Sequence, residues 1–412
     1  MPKKYVSNLF NEHTKVLLEN FFSLSVSQLV GMLSSLVVLP YVLRIIGVAH
    51  YGEIIFIMSL GVYFQTLIDF GFGVTAVRDI NTFKDNKKKI NLIYSKVMLI
   101  KIVFLVISAL LIFILTISFA EFYELRLLVF FRMMMLIGDS LFPDWFFQGV
   151  EQMKYIAYLN VGAKIFFIFG IFTLLKSSED YWQYFMLQGV SSLILGFLGQ
   201  FFLYYKYQIK FHFLKYKSII QSLKKDFPIF ANQYLPILYN NTTIFLLGLL
   251  QVKTAVGVFH SINTIVLAGM MLLYIVSKVF FPFLNKNKAF FQKYQRLVIF
   301  FTMIIMLAIL ICNRFIFWYL NIENSKENFI VLLVLLLGFV GYAFTNIYEL
   351  NYFIIRRKDR LVLHNTMIAS FLGVLISYPL IYRFGVIGAA VTITIVRSFM
   401  GGRIYYKYLI TK

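Results

Sequence analysis

The chain has 412 residues, a formal net charge of +21, 60% hydrophobic residues and only 14% charged ones. That excludes a disordered chain, which combines low hydrophobicity with dense charge. It also excludes a soluble globule, where apolar residues stand nearer ~45–50% and charged ones nearer ~25%.

The mean hydropathy of +0.79 is that of an integral membrane protein. Apolar windows long enough to span, about 20 residues each, predict twelve helices in chain order: 18–46, 52–77, 91–119, 125–150, 155–176, 181–205, 227–250, 254–284, 297–320, 328–355, 360–383 and 385–408. None alternates with period two as a barrel strand would, and lipid offers backbone groups no other partner. The first run, Phe21 to Ile46, is too long for the core of a cleaved signal and lacks a small-residue cleavage site. The longest hydrophilic gap, 206–226, is basic and aromatic (Lys210-Phe211-His212-Phe213-Leu214-Lys215-Tyr216), which predicts an amphipathic link lying on the inner headgroups.

The expected architecture is therefore all-α integral membrane, with twelve transmembrane helices in two six-helix bundles around a central cavity. The bundles would be 1–205 and 227–412, with 206–226 as a cytoplasmic linker. Internal duplication, common in transporters, has thin support: Tyr51-Gly52 and Val256-Gly257 open spans 2 and 8. The termini and even-numbered gaps hold twenty-six Lys and Arg, Lys87, Lys210, Lys286 and Arg356 among them, against seven in the odd-numbered gaps. By the positive-inside rule both termini are cytoplasmic. Cys312 stands alone, so no intramolecular disulfide forms.

Reaction chemistry is missing. The chain has no GxxxxGK[ST] phosphate loop, no GxSxG elbow and no HExxH pattern among His13, His50, His212, His260 and His364. No gap exceeds roughly twenty residues, too little to hold a sugar donor or acceptor. These absences point to a protein that moves a cargo without changing it, with no cofactor and no metal.

Ten charges fall inside spans: Lys96, Lys101, Arg132, Lys164, Lys278 and Arg397 against Asp69, Asp139, Asp144 and Glu349. Each costs ~2.5–3.5 kcal/mol at a helix centre, so they must face one another or water. A hydrated cavity with a net positive lining would attract anions. Lys96 and Lys278 lie near enough to a membrane face to snorkel; Lys101 and Lys164 lie deeper. Arg132 and Arg397 suit bidentate grip on phosphate oxygens, or a buried partner, and Asp139 is placed to be one for Arg132. Asp69, Asp139 and Glu349 are candidate proton or sodium carriers, or static counter-ions; Asp144, after Pro143, is a candidate helix terminus.

Two stretches carry a resemblance. The first is Leu43-Arg44-Ile45-Ile46-Gly47, then Tyr51-Gly52, then Asp69-Phe70-Gly71-Phe72-Gly73 with Arg78. The second is Pro143-Asp144-Trp145-Phe146-Phe147-Gln148-Gly149-Val150-Glu151. They resemble the first hairpin and the fourth helix of O-antigen flippases (the Wzx type), in the polysaccharide-transporter branch of the superfamily that also holds multidrug extruders and the peptidoglycan-precursor flippase. Pro282 and Gly385-Val386-Ile387-Gly388 are weaker matches. Each element also has a plain reading: Gly71 and Gly73 for close packing, Pro143 for a kink, Trp145 for interfacial depth.

The resemblance implies a cargo, an undecaprenyl-pyrophosphate-linked oligosaccharide, turned from the cytoplasmic to the outer leaflet of a bacterial inner membrane by alternating access and coupled to a proton or sodium gradient. It implies lipid-linked oligosaccharide and membrane lipid as partners, with no nucleic acid, and allows a polysaccharide polymerase and a chain-length regulator. Three rivals remain open. A multidrug or cation-coupled extruder should have an acidic or neutral cavity. A peptidoglycan-precursor flippase usually carries extra spans. A membrane oligosaccharide polymerase or acyltransferase needs a catalytic histidine, and neither His260 nor His364 has an acid at helical spacing.

Overall fold

A bilayer core holds no water for exposed backbone groups, so a crossing segment must close its own hydrogen bonds. The computed structural model describes residues 3–411, with side chains from residue 19 and from 26 onward, save 236, 239, 282 and 286. Lys286 and Pro282 thus lie outside the described side chains. Fourteen α-helices follow one another with no strand among the described residues: α1 (Lys3–Asp69), α2 (Phe72–Thr82), α3 (Lys87–Ser118), α4 (Ala120–Glu124), α5 (Arg126–Leu141), α6 (Asp144–Gly149), α7 (Lys154–Leu174), α8 (Tyr181–Tyr207), α9 (Tyr216–Leu250), α10 (Lys253–Lys286), α11 (Phe291–Ile311), α12 (Asn313–Tyr319), α13 (Lys326–Phe344) and α14 (Asp359–Thr411). Eight stretches among the described residues are long and apolar enough to cross a membrane. The protein is an all-helical, multi-pass membrane protein.

Two of those stretches, Val26–Thr82 and Asp359–Thr411, hold 57 and 53 residues, well over twice what one crossing needs. Each is broken where only glycine sits comfortably: Gly47 has φ 76 and ψ 166, and Gly385 has φ 53 and ψ −125. The expected span 125–150 is interrupted at Phe142-Pro143, because proline brings no N–H to continue α5. The chain restarts at Asp144, whose Oδ1 accepts from the Trp145 backbone N–H at 2.7 Å. The expected linker 206–226 is helical at its ends: α8 runs to Tyr207, 208–215 is non-helical, and Tyr216 already begins α9. Past α13, Thr345–Ile354 winds as a π-helix, a form that recurs at functional sites.

The chain forms two compact units. Unit 1 is Met1–Val38 with Gly61–Gln233, and unit 2 is Leu39–Leu60 with Tyr234–Lys412. Unit 1 is packed around Phe72, Ile80, Val97, Trp145, Phe146 and Phe147. In unit 2 the backbones of α1 and α10 nearly touch. A Cβ on Gly52 would strike the carbonyl oxygen of Lys253, and one on Gly257 the carbonyl oxygen of Val48. Glycine on both sides is what permits that approach. Beside it Tyr51 Oη and His260 Nδ1 share a hydrogen bond of 3.0 Å. The α13–α14 crossing repeats the device at Gly341 and Gly401.

Candidate functional site

Unit 1 encloses a cavity of about 480 Å³, within the ~300–1,000 Å³ usual for small-molecule sites. Its wall takes Gln65 and Asp69 from the end of α1, Phe72 and Gly73 from α2, Lys101 from α3, and Asp139 from α5. Phe142 lies at the break, Asp144 and Trp145 on α6, Ile156 and Asn160 on α7, Leu195 on α8 and Gln233 on α9. Lys101 lies fourteen residues into α3, about 20 Å along its axis, too deep for its stem to reach a membrane face. Its Nζ instead donates to Asp69 Oδ1 at 2.9 Å. Gln65 Nε2 donates to the other carboxylate oxygen at 3.0 Å. The two charges differ in setting: the Lys101 side chain is 3% exposed and that of Asp69 44%. Asp144 and Asp139 also act on Lys101 electrostatically. One ammonium thus faces three carboxylates, the reverse of the cationic balance that the in-span charges suggest.

The other expected residues are distributed. Arg132 is buried on α5 beside Gly61, where a Cβ would strike its Nε. Its guanidinium reaches Met135 Sδ at 3.7 Å, and Asp139 acts on it electrostatically while accepting a hydrogen bond from Ser192. Lys164 on α7 is half-buried, in the field of Asp139, with Nζ 5.9 Å from the Phe167 ring centre. Lys96 is held by Asp79 at 3.9 Å, together with Lys225 at 3.7 Å and Arg78 at 3.8 Å. Asp226 is buried beside this cluster, and burial pushes its carboxyl up while Lys96 and Lys225 oppose the shift.

Unit 2 holds the remaining three. Arg397 is buried on α14, where Gly341 abuts its backbone carbonyl. Lys278 Nζ lies 5.8 Å from the Tyr274 ring centre. Glu349 rides on the π-helix and bonds Asn365, whose amide donates to the Met400 carbonyl at 3.1 Å.

The motif residues of unit 1 shape the turns and helix contacts on either side of Trp145 and Asp144. Gly71 (φ 77) ends the turn between α1 and α2; Gly149 lets α6 meet Ile80 of α2. Gln148 donates to Asp144 Oδ2 at 3.5 Å, and Glu151 accepts from Asn81 at 3.2 Å and pairs with Lys84 at 3.8 Å. Arg44, in unit 2, lies 5.2 Å over the Trp318 ring. Trp145 departs from the interfacial reading: it is 1% exposed, packed in the unit 1 core near Tyr94. Sequence reasoning passed over Gln65, Asn160 and Gln233, whose only signal is an uncharged amide in or beside an apolar run, and did not join Asp79 to Lys225, which lie far apart in the chain.

Residues 17–288 match the family described as "Polysaccharide biosynthesis protein". A protein of Escherichia coli (strain K12) named "Putative O-antigen transporter" is 24% identical over 397 residues, covering 93% of this chain and 94% of its own. Among solved structures, one titled "Lipid II flippase MurJ, inward closed conformation" superposes with a TM-score of 0.72 at 13% identity, over 95% of this chain and 87% of that one. An inward-facing multidrug resistance MATE family transporter of the MOP superfamily gives 0.63 at 12% identity, over 95% and 98%. These two likenesses establish the fold.

Proposed function

The chain belongs to the polysaccharide biosynthesis protein family, and from that membership we propose that it is a flippase. Its cargo is an undecaprenyl-pyrophosphate-linked oligosaccharide, an O-antigen or similar surface-glycan repeat unit. It carries this cargo from the cytoplasmic to the outer leaflet of a bacterial inner membrane. On this reading twelve crossings form two six-helix bundles, both termini are cytoplasmic, and alternating access of the bundles moves the polar head while the lipid tail stays in the bilayer.

The observation that supports the reading most is the Lys101–Asp69 pair on the wall of the unit 1 cavity. Lys101 is a buried ammonium with one exchangeable anionic partner. A pyrophosphate oxygen arriving at Lys101 competes with Asp69 for Nζ. Once displaced, Asp69 has lost its counter-ion and stands beside two further carboxylates, which makes it the proposed carrier of the exchanged ion. Cargo and coupling ion are thereby linked through one nitrogen. Arg132, Lys164 and Arg397 are the further proposed anion ligands, with Lys96 and Lys278 nearer the membrane faces and Asp139 and Glu349 as further coupling acids.

The test is surface-glycan rescue of a flippase-null strain. Lys101→Gln, Arg132→Gln, Lys164→Gln and Arg397→Gln, each confirmed to insert, should each reduce rescue. Full rescue by all four overturns the anion site. Proton or sodium flux in proteoliposomes that is indifferent to loss of Asp69, Asp139 and Glu349 overturns the coupling. The three carboxylates of the cavity favour a second reading, export of organic cations. It would appear as drug resistance conferred without glycan rescue.

A further inference from the structure

From Tyr181 to Lys225 the chain holds no Asp or Glu, while Lys206, Lys210, Lys215, Lys217, Lys224 and Lys225 fall in its second half. The non-helical stretch between α8 and α9 lies within this acid-free run, and it is tied to α3 in a regular register, once through a side chain and twice through its backbone. Lys87 Nζ donates to Gln208 Oε1 at 2.9 Å, the Lys210 N–H to Asn91 Oδ1 at 3.2 Å, and the His212 N–H to Ser95 Oγ at 2.9 Å. Each step takes two residues on the strap and four on the helix. Two extended residues rise about 6.6 Å and four helical residues about 6 Å, so an extended strap keeps pace with α3. It runs from Lys87 at the start of α3 to a point about 12 Å along the helix. With the start of α3 taken as the bilayer surface, that stretch covers the headgroup and upper acyl region, given a hydrocarbon core of about 30 Å within a bilayer of about 40–45 Å.

Side chains sort accordingly. Ile209 is buried in the unit 1 core. Phe213 is 89% exposed and Tyr216 76% exposed, and Phe211 packs edge-on against Phe213 at 5.3 Å. Lys210, Lys215 and Lys217, each next to one of these aromatic residues in the chain, are exposed as well. Exposed aromatic rings interleaved with lysines, in a run of sequence without Asp or Glu, are complementary to negatively charged lipid.

We infer that the strap 208–215, with Tyr216 and Lys217 at the start of α9, is a binding site for anionic phospholipid headgroups of the leaflet it faces, with Phe213 and Tyr216 seated among the acyl chains and Lys210, Lys215 and Lys217 on the phosphates. The site depends on the chain being a membrane protein, and not on the nature of its cargo.

The full-length protein is reconstituted in vesicles of phosphatidylcholine and phosphatidylglycerol in fixed proportion, with bromine on the acyl chains of one lipid or the other. Quenching of the added indole of Phe213→Trp is read against the unsubstituted protein. Brominated phosphatidylglycerol should quench it at least about twofold more than brominated phosphatidylcholine, since each lysine engaged raises the local preference on the order of fivefold. Lys210→Gln, Lys215→Gln and Lys217→Gln combined should bring the ratio to one without loss of folding, because all three side chains are exposed. Asn91→Ala with Ser95→Ala should loosen the strap and reduce quenching by both lipids. A ratio of one before the lysines are removed overturns the inference, as does absence of quenching by either lipid, which would put the strap in water. Quenching unchanged by the alanine pair overturns the anchoring by α3.

Discussion

Asp69→Asn and Lys101→Met remove the same 2.9 Å ion pair and should not cost the same. Breaking a buried pair by deleting one partner costs about 3–5 kcal/mol, because the surviving charge is left in a poor medium. That situation applies to Asp69→Asn, which strands an ammonium whose side chain is only 3% exposed. Asp139 and Asp144 still act on Lys101, so the expected loss falls at the lower end, about 3 kcal/mol. Lys101→Met strands a carboxylate that is 44% exposed and keeps the Gln65 amide at 3.0 Å. Water and the amide take over its solvation. The loss should be about 0–1 kcal/mol, in the range of a surface pair, with the methionine filling the volume of the lysine stem. The double variant should match Lys101→Met, since asparagine strands nothing once the ammonium is gone. Unfolding of the detergent-solubilised variants, followed by intrinsic fluorescence, gives the three differences. Equal losses, or a larger loss for Lys101→Met, would refute the argument from exposure.

Two other substitutions test the frame. Gly52→Leu should destabilise unit 2 by about 1–3 kcal/mol or more, the cost of overpacking. The added carbons meet the backbone of Lys253 and Gly257, which cannot step aside as a side chain would. Gly402→Ala, with nothing within 4 Å of its added carbon, should be neutral or gain a few tenths of a kcal/mol in the same unfolding assay. Burial pushes the Asp226 carboxyl above the usual carboxylate range, so the protonated form favours the fold. Its contribution is complete below the ordinary carboxylate value and is lost as pH rises through the raised one. Asp226→Asn should therefore flatten the decline in unfolding midpoint from about pH 4 upward. An unchanged slope would remove Asp226 as its source.

The membrane class and the helical breaks at Pro143 and Gly385 could be read along the chain, because both follow from local chemistry. That Lys101 needed company inside the bilayer was also readable, but Asp69 as its partner was not: the two lie on α3 and α1, and only packing joins them. Counting formal charges favoured a positive lining, whereas the unit 1 cavity gathers Asp69, Asp139 and Asp144 around a single lysine. A count over the chain cannot know which faces converge. Gln65, Asn160 and Gln233 escaped because a search for charge ignores amides. Trp145 looked interfacial from its position near a span end, yet the turn at Pro143 folds it into the core.

The assignment of Leu39–Leu60 to the second unit has a consequence for anyone dividing the molecule. A gene severed between α8 and α9 would yield a carboxyl-terminal fragment without Val42, Leu43, Ile54, Phe56 and Ile57, all buried in the intact chain, and without the glycine that α10 rests on. That fragment expressed alone would present a raw seam to lipid. Supplied with the amino-terminal fragment in the same cell, it could be mended, because the missing hairpin arrives on the other polypeptide.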